Sequence, residues 1–462
     1  MSRPPHNIRL SRHRFYFFPA LLPLVEIVPL LLTAIGGLAG LTAVVWKRGR
    51  RIWVVALLCF AIAGGIVIAA MPDKEVRDAG SRAVAAADLP KHTVIRPRGD
   101  LPDVAPLPRF TDLWVVRTKN QLLSSPVVAE GVLVVGTYKN TVEAYHTANG
   151  ALLWYHTQNE PMFTVGKGHG KTVYSGEGLH HTQSAALTSM TLPEGTIHWA
   201  REFLGHIESP PEVSADGKQL WLSTGGGGIW SLRAADGKVI WHQAVGHIDS
   251  TPLVAGNRLY AAAQPDENVM QSLFFGMRAA DGDILFQTPL PGQPWGRPQL
   301  SKNGDFIVTS TGQGQIGVMR DTDKGWAMAL DAQNGKLRWQ RELPAMPVEP
   351  GSYVAEKDIA VYTLKNGALL ALRGRDGAPL WQKKIGSAFM AAARLIRRAG
   401  KRDMIAAVTV DGVFTIRDAE TGAELARRRV AEGASASPAD DGDRIYVATP
   451  YRLYAFGGLE SL

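Results

Sequence analysis

The pattern of apolar positions divides the chain into three parts. Residues 15–71 carry long apolar runs, and residues 72–110 carry no apolar period. From residue 111 onward, short apolar runs alternate with turn clusters rich in Gly, Asp and Asn, which is the pattern of strands joined by hairpins. Runs such as 131–137 (GVLVVGT) and 444–449 (RIYVAT) are apolar at consecutive positions. Strands of that kind are covered on both faces by neighbouring sheets.

A single phrase recurs seven times in this region: a small or aliphatic pair, Asp or another polar residue, Gly, two or three further residues and usually Trp. Its copies are 144–154, 190–199, 232–241, 277–286, 329–339, 371–381 and 416–426. Their glycines, Gly150, Gly195, Gly237, Gly282, Gly335, Gly377 and Gly422, are 45, 42, 45, 53, 42 and 45 residues apart. That period matches one four-stranded propeller blade. The third unit shows the strands most clearly, at 211–214, 219–224, 228–233 and 238–242. Ala235-Asp236-Gly237 is suited to a hairpin with positive backbone angles, since Gly lacks a side-chain clash and Asp tolerates the left-handed region. The bulky residues closing the units, Trp114, Trp154, Trp199, Trp241, Phe286, Trp339 and Trp381, are expected to wedge between neighbouring blades.

The chain ends set the blade count. Strands at 434–439, 443–449 and 451–457 form an eighth unit without a closing strand, and residues 111–118, with Trp114, supply one from upstream. Pairing them closes the ring and leaves few free edges. The expected fold is all-β, an eight-bladed propeller over residues 111–458 with seven blades as the alternative, preceded by an N-terminal transmembrane helical anchor.

Charge narrows the partners. Of the net +8, residues 1–51 supply +7 through eight Lys or Arg against Glu26, and the other 411 residues balance 42 basic against 41 acidic side chains. The high pI therefore belongs to the basic arm 1–14 and the loop 47–51, and a nearly neutral propeller argues against nucleic acid as a partner. The single cysteine, Cys59, forbids an internal disulfide.

Residues 52–71 are twenty without a charge, enough to span a bilayer as a helix. A preceding apolar segment, 15–46, is broken by Pro19, Pro23, Glu26 and Pro29. The anchor is thus expected over 15–71, and the basic loop should stay in the cytoplasm. That puts the propeller outside, in the periplasm of a bacterium, tethered to the inner membrane; the competing arrangement leaves the loop outside and the propeller in the cytoplasm. Residues 72–110, with Pro90, Pro97, Pro102, Pro106 and Pro108, read as an extended linker.

The phrase Ala329-Leu-Asp331-Ala-Gln-Asn-Gly335-Lys-Leu-Arg-Trp339 resembles the tryptophan-docking repeat of the pyrroloquinoline-quinone-type (PQQ-like) propellers, over roughly residues 111–458. That family holds quinoprotein alcohol and glucose dehydrogenases and also the non-enzymatic outer-membrane assembly factor B type, which the compact units resemble in size. The segment 46–51 (WKRGRR) with its apolar flanks is similar to part of the anchor of membrane-bound quinoprotein glucose dehydrogenase. The resemblance implies either a non-catalytic scaffold contacting protein partners through loops and blade edges, plausible in envelope assembly, or a small dehydrogenase using PQQ and calcium to oxidise a sugar or alcohol.

Candidate chemistry lies where each unit begins, near the propeller axis. Two neighbouring units nearly repeat, Gly205-His206-Ile207-Glu208-Ser209-Pro210 and Gly246-His247-Ile248-Asp249-Ser250-Thr251-Pro252, and other units offer Gln121, Glu160, Trp295, Arg297, Glu349 and Phe389 in similar places. Glu208, Asp249 and Glu349 are the candidate metal ligands, Glu208, Asp249 and Arg297 the candidate catalytic groups, and His206, His247, Trp295 and Arg297 the candidate cofactor contacts. Ordinary loop hydrogen bonding is the competing role for all of them. His180 and His181 are adjacent, so on a strand their rings would point to opposite faces; they chelate together only from a loop. The glycine run 225–228 lacks a following Lys-Ser/Thr and reads as a tight turn, and the chain has no Gly-x-Ser-x-Gly, His-Glu-x-x-His or paired-cysteine motif.

Overall fold

The computed structural model describes residues 81–85, 89–95, 109–263, 271–314, 323–348, 351–434 and 436–462. The arm 1–14, both anchor segments and Glu349 lie outside them. Among the described residues no helix is long and apolar enough to cross a membrane.

Eight antiparallel sheets make an eight-bladed propeller. Blade 1 is Val127–Ala129, Val132–Gly136, Thr141–His146 and Leu152–Thr157, from the innermost strand outward. Blade 2 is Thr164–Lys167, Thr172–Gly176, Ser184–Thr191 and Thr196–Leu204; blade 3 is Glu212–Val213, Gln219–Thr224, Gly228–Arg233 and Val239–Gln243. Blades 4 to 7 repeat the meander and end on outer strands Ile284–Leu290, Leu337–Leu343, Pro379–Lys384 and Glu424–Arg429. Blade 8 closes the ring: its outer strand is Thr111–Arg117, paired with Arg452–Gly457 from the far end of the chain.

The core is distributed around the ring. Buried apolar side chains fall into eight clusters, each shared by two adjacent blades. Strand alternation produces this: in blade 3, Leu220 and Leu222 face blade 2 while Trp221 between them faces blade 4. With both faces buried, the second strands read as unbroken apolar runs.

The repeated phrase acts across blade boundaries. Each closing Trp donates its indole N–H to a carbonyl in the outer hairpin of the next blade, from Trp114 to Thr147, Trp154 to Pro193, Trp199 to Ala234, Trp241 to Ala279, Trp339 to Gly374 and Trp381 to Ala419, at 2.7–3.1 Å. The ring lies against the motif glycine of that hairpin; a Cβ on Gly195 would meet the Trp154 ring at 2.6 Å. Gly195 also holds φ +74°, so two independent constraints require glycine. Phe286 has no donor, and the equivalent carbonyl, Ala332, is served by the Tyr260 hydroxyl at 2.8 Å. At the seam between blades 7 and 8, where the phrase ends in Ala426, Arg428 pairs with Asp112 at 2.7 Å and covers the Phe110 ring. Asp236 departs from its expected part, because only Gly237 of its hairpin has positive φ. The aspartate acts through its side chain, accepting the Lys238 N–H and pairing with Arg233.

Within 72–110, two short strands lie on the propeller. Ser81–Ala83 adds a fifth strand outside blade 2, and Lys91–Val94 adds one outside blade 1. This stretch is therefore partly hydrogen-bonded sheet edge, where its composition reads as a free spacer. Under the second of these strands, buried His156 contacts Gly195 O at 2.7 Å and stacks near His92. Burial first, then the His92 charge, push the His156 imidazole down to about 4. Its folded pKa is depressed, so its contribution to stability is complete above about pH 6.5 and is lost as pH falls towards 4, at about 1.4 kcal/mol per unit. Urea unfolding of the parent is expected to weaken between pH 6.5 and 5 with a slope that His156→Gln flattens; parallel curves would refute it.

Candidate metal centre

The duplicated Gly-His-Ile-acid segments cross from one blade to the next on the face that carries the hairpins between second and third strands. His206 lies between blades 2 and 3, His247 between blades 3 and 4, and the blade 2 hairpin on this face brings His180 to both. That hairpin contains a tight turn, Leu179 to Thr182, closed by the Thr182 N–H on the Leu179 carbonyl at 2.7 Å. Beneath it, buried Glu177 accepts the backbone N–H groups of Asn159, Glu160 and Ala186. The turn separates the adjacent histidines, so His180 reaches the cluster and His181 does not.

Asp249 is the hub. Its carboxylate lies 3.0 Å from His206 Nε2 and 2.8 Å from His247 Nε2. Glu208 approaches more loosely, 3.6 Å from His180 Nδ1 and 3.8 Å from His206 Nε2. The three rings are mutual neighbours, with centroids 5.0 Å (His180 to His206), 5.0 Å (His206 to His247) and 5.8 Å (His180 to His247) apart. The His206 side chain is 2% exposed, those of Asp249 and Glu208 10%, and that of His180 61%. Burial alone would raise Asp249, but hydrogen bonds from His206 and His247 outweigh it and hold the carboxyl below its usual range. Glu208, without such donors, is raised by burial and then by the Asp249 charge. Burial lowers His180.

Glycines make room for the buried ring. A Cβ on Gly225 would fall 2.1 Å from the His206 ring, and one on Gly178 3.1 Å from His206 Cβ. The glycine run 225–228 forms a turn, as its sequence suggests, and also forms a wall that only glycine allows.

The other candidates lie elsewhere. Arg297 pairs with Glu212 of blade 3 at 2.6 Å, Trp295 Nε1 is buried without a hydrogen-bond partner, and Phe389 is core between blades 6 and 7. This donor set does not fit calcium and PQQ. Calcium takes six to eight oxygens, whereas here imidazoles outnumber carboxylates and Asp249 is already engaged by two of them. The only candidate arginine for an anionic quinone is bound to Glu212.

Comparison with known proteins decides the family. The profile described as outer membrane protein assembly factor BamB matches residues 111–206, 183–350 and 270–457, spanning all eight blades. The chain belongs to the BamB family. A BamB of Moranella endobia is 24% identical over 277 residues, 60% of this chain and 58% of that protein. A BamB of Shewanella oneidensis is 27% identical over 28% of this chain and 35% of its own length, and one of Salmonella typhimurium 26% identical over 41% and 61%. The chain thus spans between about a third and three fifths of these BamB proteins. Among solved structures, BamB from Moraxella catarrhalis superposes with a TM-score of 0.53 at 14% identity, covering 76% of this chain and 98% of that one. The C-terminal WD40 domain of Sif2 superposes with a TM-score of 0.58 at 12% identity, covering 75% and 98%. At such identities the likeness is one of fold.

Most outer edges of this BamB-family propeller carry no added strand among the described residues. Among the described residues, only the outer strands of blades 1 and 2 carry an added strand; those of blades 3 to 8 have none. Exposed large apolar side chains gather on these open edges: Ile240 on blade 3, Ile284 and Leu285 on blade 4, Leu337 on blade 5, Leu380 on blade 6 and Val115 on blade 8.

Proposed function

We propose that the chain is a non-catalytic scaffold of outer-membrane protein assembly, with its propeller in the periplasm, that receives protein partners on its open blade edges. The observation that carries this reading is the uncovered rim. Soluble proteins blunt or cover exposed strand edges, because free N–H and C=O groups recruit further strands. Here two edges already hold short strands of the same chain, bound through the backbone. Among the described residues six neighbouring edges offer the same groups, five of them with exposed apolar side chains on the edge strand, which suits extended segments added in β fashion. Family membership supplies the process. Attachment to the inner membrane through residues 15–71 rests on the uncharged run 52–71.

The test is photocrosslinking of the full-length chain in cells, with the probe at Leu337. It is expected to capture envelope proteins, and Leu285→Lys with Leu380→Lys should reduce capture several-fold at unchanged thermal unfolding. Unchanged capture in the double variant would remove the edge reading. Stoichiometric PQQ and calcium binding with dye-linked oxidation of a sugar or alcohol would remove the scaffold reading.

A further inference from the structure

We propose that His180, His206, His247 and Asp249 form a binding site for one divalent transition ion of the zinc type, with Glu208 at its edge. The site lies on the crossover face and owes nothing to the blade edges, so it stands or falls apart from the scaffold reading.

Four observations converge on it. The ligating atoms of these four residues lie within 4.8 Å of one another, although they come from one hairpin and two separate crossovers. Zn–N bonds of about 2.0–2.1 Å place tetrahedral ligands about 3.4 Å apart, so from a spread of 4.8 Å the widest pair closes by up to about 1.4 Å. The exposed His180 side chain is the ligand with most room to supply it. Second, the donors are chemically selective: neutral imidazoles with a carboxylate suit zinc and its first-row neighbours, whereas calcium and magnesium need oxygen-rich shells.

Third, the fold does not demand histidine here. Isolated bridges between a crossover and the hairpin of the blade it enters occur at Leu122 with Thr137, at Pro347 with Leu364 and at His206 with Gly225. The same backbone contact forms at leucine and proline, so the path of the crossover does not itself require histidine at 206. Fourth, Asp249, Glu208 and His206 are largely shielded from water beside Gly178 and Gly225, with His247 and His180 reaching them from the more open side. A cation held there by Asp249 would also offset the charge of Glu208 beside it. A bound ion would join blades 2, 3 and 4 on one face, and His180, half open to solvent, is the route by which it enters.

The test uses the untagged full-length chain, stripped with EDTA and titrated calorimetrically with zinc chloride and, separately, calcium chloride. One equivalent of zinc is expected to bind, with calcium negligible in comparison, and cobalt(II) should give the visible bands of a nitrogen-ligated low-symmetry site. His180→Ala, on an exposed turn where folding is not at stake, and His247→Ala should each weaken zinc at least about 10-fold. His169→Ala, on the opposite face, should leave it unchanged. The proposal is overturned if the stripped chain takes no zinc, if calcium binds in preference, or if His180→Ala and His247→Ala retain the parent affinity.

Discussion

Replacing Trp154 by alanine is expected to lower the unfolding free energy by about 3–5 kcal/mol, the range for a large aromatic removed from a packed interior. Trp154 is 3% exposed in the cluster between blades 1 and 2, and its N–H satisfies the Pro193 carbonyl at 2.8 Å. Trp154→Phe keeps most of the ring and loses that bond, so it should cost about 1 kcal/mol. Gly195→Ala attacks the same joint from the other side, adding a Cβ 2.6 Å from the indole at φ +74°. Alone it should cost more than the roughly 1–2 kcal/mol of left-handed strain. Combined with Trp154→Ala the clash is gone and only the strain remains, so the pair should be non-additive. Urea midpoints of the four proteins measure this; strict additivity would mean that ring and glycine do not form one joint.

The propeller was legible because its signals repeat. Seven copies at a near-constant step fix the blade, and the unpaired strands at 111–118 and after 434 complement each other, as the pairing of Thr111–Arg117 with Arg452–Gly457 bears out. The Trp could be read as a wedge from size alone; that its partner is the glycine of the following copy could not, since the contact crosses a blade boundary. The added strands at Ser81–Ala83 and Lys91–Val94 were illegible for another reason. They bind by backbone hydrogen bonds to an open edge, which places little demand on side chains, so SRA and KHTV carry no alternation.

The cluster was half legible. Duplication exposed His206, Glu208, His247 and Asp249, and the structure brings all four together. His180 escaped because adjacent histidines on a strand diverge, and only the turn at 179–182 redirects one of them inward. Even a correct turn assignment would not have said which blade's crossover it meets. Arg297 shows the converse limit: a similar position within the unit does not determine where a long side chain reaches, and Glu212 is the carboxylate it finds. Asp249 and Glu208 look equivalent in sequence, yet Asp249 alone gathers two imidazoles within 3.0 Å, a distinction of packing angle that no spacing encodes.

Asp323→Asn is expected to destabilise the propeller by about 1.5–3 kcal/mol, the worth of a buried hydrogen bond between charged groups. Asp323 Oδ2 lies 2.6 Å from Lys365 Nζ, with side chains 8% and 3% exposed, and the pair ties the blade 5 hairpin to the blade 6 hairpin. The backbone N–H of Lys365 donates to the Met346 carbonyl at 2.9 Å, which fixes the root of the side chain. Exposed pairs of the same chemistry, such as Arg233 with Asp236, contribute far less because solvent screens both ions. The same reasoning gives the sign of the double replacement. With Asp323→Asn and Lys365→Met together neither ion of the pair remains, so part of the lost stability should return, although the natural ion pair is gone. Urea unfolding of the two single variants and the double variant checks this. A loss below about 0.5 kcal/mol in Asp323→Asn, the range of ordinary surface changes, would show that water reaches the pair and that blades 5 and 6 are held by their apolar cluster alone.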